Sequence, residues 1–295
     1  MQFRFYLRLT AAVALAGFGS MAAHGFDKIV VFGDSYNDVG NIYALAAGYG
    51  VVYPPPPYYD GRFSNGPIWI EHIANDWGLA LSPSVLGGTD YATGGAQLLR
   101  SVVLEGLPIP SIKSQVTAYL AANGGKADPQ ALYVIEGGGN DILTATKTPP
   151  SELGTEIATA LHGMERSLRL AGAKRFLIPE LIDVGQLPGP AAAGPEAVAY
   201  ANAASIAANE ALLSKLAYDA ALPGIEIYTI PVFRTFLAVA NAKTHFGFTN
   251  VVSPCLSNAG ECADPDHTLW WDEEHPTEFG HAFFAILVEG AVVNH

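Results

Sequence analysis

The chain has 295 residues, half of them apolar and 15% charged, with a formal net charge of −13. That length is enough to bury a core, and the composition is too apolar for long disorder. The acidic surplus repels phosphate backbones and so excludes nucleic acid as a partner, while leaving a neutral ester or a zwitterionic lipid open.

Residues 1–25 read as a cleaved secretory signal. Arg4 and Arg8 precede an apolar run from Leu9 to Phe18, and small residues around Ser20, Met21 and Ala22 lead to a cut expected between Ala22 and Phe26. The run is too short to span a bilayer, and no later stretch reaches about 18 apolar residues. Residues 26–295 are therefore expected to be exported and soluble, with no membrane span. Without Arg4 and Arg8, 13 basic residues face 28 acidic ones. No linker or internal repeat divides this part, so a single domain is expected.

Ile29–Val30–Val31–Phe32 is a short buried-type strand running into the polar turn Gly33–Asp34–Ser35. A helix is expected from Tyr36 to Ala47. The prolines of Tyr53–Pro54–Pro55–Pro56–Pro57–Tyr58–Tyr59 forbid a helix there. That segment is a rigid surface linker or an aromatic rim facing substrate. Arg62 reads as a turn anchor, and Trp69, Ile70, Ile73 and Trp77 mark the core face of the next helix. A weak strand is expected over Val85–Ala92, a helix over Ser111–Ala122, and a buried strand over Ala131–Ile135 leading into Gly137–Gly138–Gly139–Asn140–Asp141. Ile157, Leu161, Met164 and Leu168 fix a helix over Ser151–Leu170; strands follow at Arg175–Ile178 and Ile225–Ile230, separated by a helix over Pro195–Ala221. From Asn241 to Leu269 there is no periodicity, and an ordered loop is expected around Cys255 and Cys262. In an oxidising compartment two cysteines at this spacing form a local disulfide. A helix from Glu278 to Val288 closes the chain. Strands alternating with helices imply a parallel sheet covered on both faces.

Serine is a weak nucleophile without a base, an acid to orient the base, and donors for an oxyanion. Taken alone, Ser35 is more simply a helix cap and His275 a surface histidine in an acidic turn. Together they suggest more. Asp272 and His275 stand three residues apart, so the carboxylate reaches the imidazole Nδ1–H and fixes its tautomer. Three loops, each after a strand, bring Ser35, Gly95 and Asn140 to the carboxyl edge of one sheet. Two backbone N–H groups and the Asn140 amide then make three oxyanion donors. With ordinary chemistry, activity falls as His275 protonates, near pH ~6.5 or below.

Gly33–Asp34–Ser35–Tyr36, Gly94–Gly95, Gly138–Gly139–Asn140–Asp141 and Asp272–Glu273–Glu274–His275 resemble the four blocks of the GDSL, or SGNH, hydrolase family. The runs Phe32 to Asn41, Tyr59 to Gly66 and Phe246 to Thr277 resemble its secreted lipase/acylhydrolase branch. The resemblance implies a flavodoxin-like three-layer α/β/α sandwich with a central parallel sheet, and carboxylic ester hydrolysis through a serine acyl-enzyme. It makes Ser35 the nucleophile, His275 the base, Asp272 its orienter, and Ser35, Gly95 and Asn140 the oxyanion hole. Tyr36 stands where leucine is commoner, and Asp90 where asparagine is, so the acyl pocket and a loop-bracing hydrogen bond are expected to differ. The Gly-x-Ser-x-Gly elbow of α/β-hydrolases does not surround Ser35.

No cofactor is expected. Asp264, Asp266, His267, Asp272, Glu273, Glu274, His275 and His281 are dense enough to suggest a metal, but no His-Glu-x-x-His helix is present and Asp272 and His275 already serve the serine. His72 and His162 read as partly buried helix residues. The expected partner is a small-molecule or lipid ester. A carbohydrate O-acetylesterase, a (lyso)phospholipase and a non-catalytic binding protein on the same scaffold are the alternatives.

Overall fold

The computed structural model describes residues 25–145 and 147–293; apart from Gly25, the expected signal segment lies outside them. In chain order the elements are β1 (Lys28–Phe32), α1 (Asn41–Gly48), α2 (Trp69–Asp76), β2 (Val102–Leu104), β3 (Leu107–Ile109), α3 (Ile112–Ala122), β4 (Ala131–Ile135), α4 (Gly139–Thr144), α5 (Pro150–Leu170), β5 (Arg175–Leu177), α6 (Pro188–Ala193), α7 (Pro195–Ala220), β6 (Glu226–Tyr228), α8 (Val232–Asn241), β7 (Leu256–Ser257), β8 (Gly260–Glu261) and α9 (Glu278–Val293).

β1, β4, β5 and β6 form one parallel sheet in that order. The free edge of β1 is met by residues 89–93. Val31 N–H donates to the Thr89 carbonyl, Tyr91 N–H to the Val31 carbonyl, and Thr93 N–H to the Gly33 carbonyl, with a parallel bridge at Asp90. The expected strand over Val85–Ala92 is thus reduced to this ribbon. Pro83 and the glycines at 87 and 88 turn its first half into a 3₁₀ turn. Counting the ribbon second in chain order, the sequence of strands across the sheet is 2-1-3-4-5, and the topological switch lies beside β1. In such a sheet, reactive groups collect at the carboxyl ends next to the switch.

The strands are short apolar runs because both faces are covered: Ile29 to Phe32 and Ala131 to Ile135 are wholly buried. α3, α5 and α7 pack in a row, with α3 against β1, α5 against β4 and α7 against β6, while α2 packs on α9. The α5 stripe of Ile157, Leu161, Met164 and Leu168 is buried. Each such side chain contributes roughly 1.5–3 kcal/mol. This is the three-layer α/β/α arrangement.

Three local readings differ from the sequence expectation. Helix α1 starts at Asn41 rather than Tyr36, because the Asp38 carboxylate accepts the N–H groups of Gly40, Asn41 and Ile42 and holds residues 36–40 as turns. The β2–β3 hairpin turns on Glu105 and Gly106, both at positive φ, a pair that carries little of the usual Asn-Gly signal. Helix α8, for which no element was expected, follows β6, and within the expected loop from Asn241 to Leu269 the short β7–β8 ribbon forms. Cys255 and Cys262 flank the ribbon, and their sulfurs lie 2.10 Å apart at disulfide distance.

Candidate active site

β1 and β4 are in register through Phe32 and Ile135, so the turns that follow them leave the sheet side by side. Gln115 of α3 clamps the first turn: its Oε1 accepts from Gly33 N–H at 3.0 Å and its Nε2 donates to the Gly33 carbonyl at 2.9 Å. A Cβ at residue 33 would meet Asn37 Nδ2 at 2.4 Å, so a larger residue there would displace the Asn37 side chain and its bond to Glu136.

Ser35 is thereby fixed at the sheet edge. The other end of the site is a tight turn in which Trp270 bridges Pro276 and Trp271 N–H donates to the His275 carbonyl at 2.7 Å. The spacing suggests a helical turn, but this hairpin-like fold is what turns Asp272 toward the His275 ring. His275 Nε2 lies 2.8 Å from Ser35 Oγ, and His275 Nδ1 lies 2.8 and 2.9 Å from the two Asp272 carboxylate oxygens. An ionised carboxylate only accepts, so Nδ1 carries the hydrogen and Nε2 is free to accept the serine O–H. Ser35 and His275 are 7% and 8% exposed, buried but reachable from one cleft.

Asp272 Oδ1 also accepts the N–H groups of Glu274 and His275, both at 2.7 Å. Its Oδ2 receives the Tyr58 hydroxyl at 2.7 Å. The proline-rich segment is therefore part of the site rather than a linker. Its continuation braces the same turn: Ser64 Oγ donates to the Pro276 carbonyl, Glu278 N–H donates to Asn65 Oδ1, and the Phe63 ring lies tilted on His275 with centroids 5.0 Å apart. Arg62 is the anchor of that loop, paired through two nitrogens with Glu71.

Burial would lower the His275 pKa. The charge and hydrogen bond of Asp272, with Glu274 and Asp34 behind them, outweigh burial and raise it above the ordinary 6.5. This corrects the expectation of 6.5 or below. For Asp272 burial pushes upward, yet the His275 charge and the hydrogen bonds from His275, Glu274 and Tyr58 bring it down to about 2.

The second loop is tied to the first by Asp38, whose Oδ2 accepts Gly94 N–H at 2.8 Å. Asp90, wholly buried, accepts from Val39 N–H and Ala92 N–H, and Asn41 Nδ2 donates to the Asp90 and Ala92 carbonyls. The brace expected to differ at Asp90 is present in this form. Gly95 has a φ of +76°, and a Cβ there would meet Leu104 of the hairpin at 2.7 Å. Neither Ser35 N–H nor Gly95 N–H has a partner among the described residues. The Asn140 amide differs from expectation. Its Nδ2 donates to Asp34 Oδ2 at 3.2 Å and to the Ala96 carbonyl at 3.1 Å, so both hydrogens are engaged within the protein.

The cleft over Ser35 is lined on its far side by Leu143, Ile182, Val184 and Leu187, none of which the sequence marks. They come from α4 and the loop after β5, and their apolar character is indistinguishable from core in the sequence. Both tryptophans next to Asp272 are core: Trp270 packs on Phe236, and Trp271 meets Tyr58 edge-on. Asp264 and His267 pair with each other at 2.7 Å on the surface, away from Asp272. Among the described residues the group whose donor atoms lie close enough for a metal is His162, Glu165 and Asp219. There Arg169 already bonds to both carboxylates. No helix among the described residues is long and apolar enough to cross a membrane.

The family model of GDSL-like lipase/acylhydrolases matches residues 29–288. A phosphatidylcholine-sterol acyltransferase of Aeromonas hydrophila is 29% identical over 257 residues, covering 87% of this chain and 73% of its own. A thermolabile hemolysin of Vibrio parahaemolyticus is 28% identical over 293 residues, covering 90% of this chain and 64% of its own, so the chain spans less than two thirds of that relative. A GDSL esterase/lipase of Arabidopsis thaliana is 28% identical over 310 residues, covering 85% of this chain and 82% of its own.

Proposed function

The chain belongs to the GDSL-like lipase/acylhydrolase family, and from that premise we propose that it is an exported serine esterase that cleaves carboxylic esters through an acyl-enzyme on Ser35. The observation that carries the reading is the unbroken row of hydrogen bonds from Ser35 Oγ through His275 to Asp272.

In this mechanism Ser35 Oγ attacks the ester carbonyl carbon as its proton passes to His275 Nε2. Asp272, ionised, holds the Nδ1–H tautomer and stabilises the imidazolium. The carbonyl π electrons move to oxygen, and this oxyanion is met by the unpartnered N–H groups of Ser35 and Gly95. Asn140 contributes once its amide yields one of its two internal acceptors. A single donor of this kind is worth roughly 3 kcal/mol in the transition state. Collapse expels the alcohol, which takes the proton from His275. Water then repeats the sequence with His275 as base, and the acid leaves.

Export rests on the basic and apolar pattern of the first 25 residues. The test of the function is Ser35→Ala. Purified and shown folded by circular dichroism, the variant is expected to lose at least about 10³-fold in kcat/KM on p-nitrophenyl esters, and undiminished turnover would refute the assignment. Comparing acetylated sugar, simple ester and lysophospholipid as substrates separates a general esterase from the O-acetylesterase and phospholipase readings.

A further inference from the structure

Two cavities meet at Tyr36. One is the cleft over Ser35; the other is an inner cavity of about 30 Å³ whose apolar walls are Trp69, Ile182, Val232, Phe284 and Val288. Tyr36 and Ile182 belong to both. Tyr36 directly follows Ser35 and lines the same cleft, so its ring is within reach of an acyl group carried on Ser35 Oγ. The phenol donates to the Glu274 carbonyl at 2.5 Å, and the ring stands edge-on to His275 at 5.8 Å and to His281 at 6.3 Å. The ring is thus part of the wall shared by cleft and inner cavity, fastened by one hydrogen bond.

Besides Tyr36, the inner cavity has three polar members, Glu136, Glu180 and His281, of which Glu180 is turned to Phe233 N–H and Arg234. Asn37 Nδ2 donates to Glu136 Oε2 at 2.6 Å, while neither ring nitrogen of His281 has a hydrogen-bond partner among the described residues. Burial and then the Asp34 charge push the Glu136 pKa up, and burial followed by the charges of His275 and His72 pushes His281 down to about 3. Burial thus works against charge on both groups, and an ionised group brought into this space would meet the same cost. Its volume is room for about two water-sized groups.

We propose that this inner cavity is the acyl subsite and that Tyr36 sets acyl length, so that the protein takes esters of short-chain acids. Longer chains enter only when the Tyr36 ring leaves Glu274. This rests on the acyl-enzyme reading of Ser35.

The experiment is kcat/KM on p-nitrophenyl acetate, butyrate, octanoate and laurate for the wild type, Tyr36→Phe, Tyr36→Ala and Val288→Phe. A fluorophosphonate titration of reactive Ser35 normalises each rate to folded, competent sites. The wild type is expected to favour butyrate over octanoate by about tenfold or more. Tyr36→Ala is expected to raise the octanoate-to-butyrate ratio by about tenfold, with Tyr36→Phe intermediate because it keeps the ring and loses the bond. Val288→Phe narrows the cavity and is expected to lower butyrate relative to acetate. Equal chain-length profiles in all four proteins, with Ser35 still titrating, would overturn the subsite and leave the serine mechanism standing. A catalytically active wild type in which Ser35 does not titrate would bring both down.

Discussion

The Tyr58 hydroxyl donates to Asp272 Oδ2 at 2.7 Å, joining the proline-rich loop to a turn 214 positions further along the chain. Asp272 then accepts four hydrogens, from Tyr58, His275 Nδ1 and the N–H groups of Glu274 and His275. Tyr58→Phe removes one and leaves the ring packing intact. Charge on Asp272 that was shared with the phenol falls on His275, and its imidazolium becomes more stable. The acid limb of kcat/KM is expected to move to higher pH by less than about one unit, with a loss of roughly 2- to 10-fold at the plateau. A pH–rate profile checks it; an unmoved limb would show that the phenol only packs.

In the proposed mechanism His275 must be neutral to accept the serine proton. Burial lowers its pKa, but Asp272 more than reverses that, so the acid limb of the wild type is expected above pH 6.5. In Asp272→Asn the compensating charge is gone and burial dominates. The limb of the residual activity should fall below that of the wild type, and the plateau should drop by about 10³-fold or more. The same pair sets a stability window. The Asp272 share is present above its unfolded pKa of 3.8 and is lost as pH falls toward 2, while the His275 share is present below 6.5 and is lost as pH rises through its folded value.

Asp38 is buried and accepts four backbone N–H groups, from Gly40, Asn41, Ile42 and Gly94. Asp38→Ala leaves all four donors without their acceptor. The expected loss is about 3 kcal/mol or more in urea denaturation, larger than for a typical surface change. Because Gly94 N–H is one of the four, folded variant protein should also lose activity through a loosened Gly95 loop. A loss below about 1 kcal/mol would mean that the loops hold their course without this carboxylate.

How much of this was legible depended on how local the physics is. β1 and β4 show in the sequence because both faces are covered and the apolar runs are uninterrupted. α5 and α7 show because their lengths give several periods. The Ser35, Asn140 and His275 segments are short contiguous motifs, so each can be read without knowing the others. The start of α1 was hidden, since Asp38 competes for its first N–H groups from three residues outside. Tyr58 was hidden for the opposite reason: its partner lies on the far side of the chain, and prolines around it look like a spacer. The position of the Asn140 amide, turned to Asp34 and Ala96, depends on loop packing that no motif encodes. Leu143, Ile182, Val184 and Leu187 are apolar residues at the end of a sheet, and only their convergence on one cleft separates them from core.

The most direct measurement is peptide mass mapping after reaction with a fluorophosphonate, run on the wild type and on His275→Ala. One phosphonyl adduct per chain is expected, on Ser35, with labelling slowed by at least about 10³-fold in the variant. An active wild type modified at a different residue, or labelling of Ser35 at an unchanged rate without the imidazole, would contradict it.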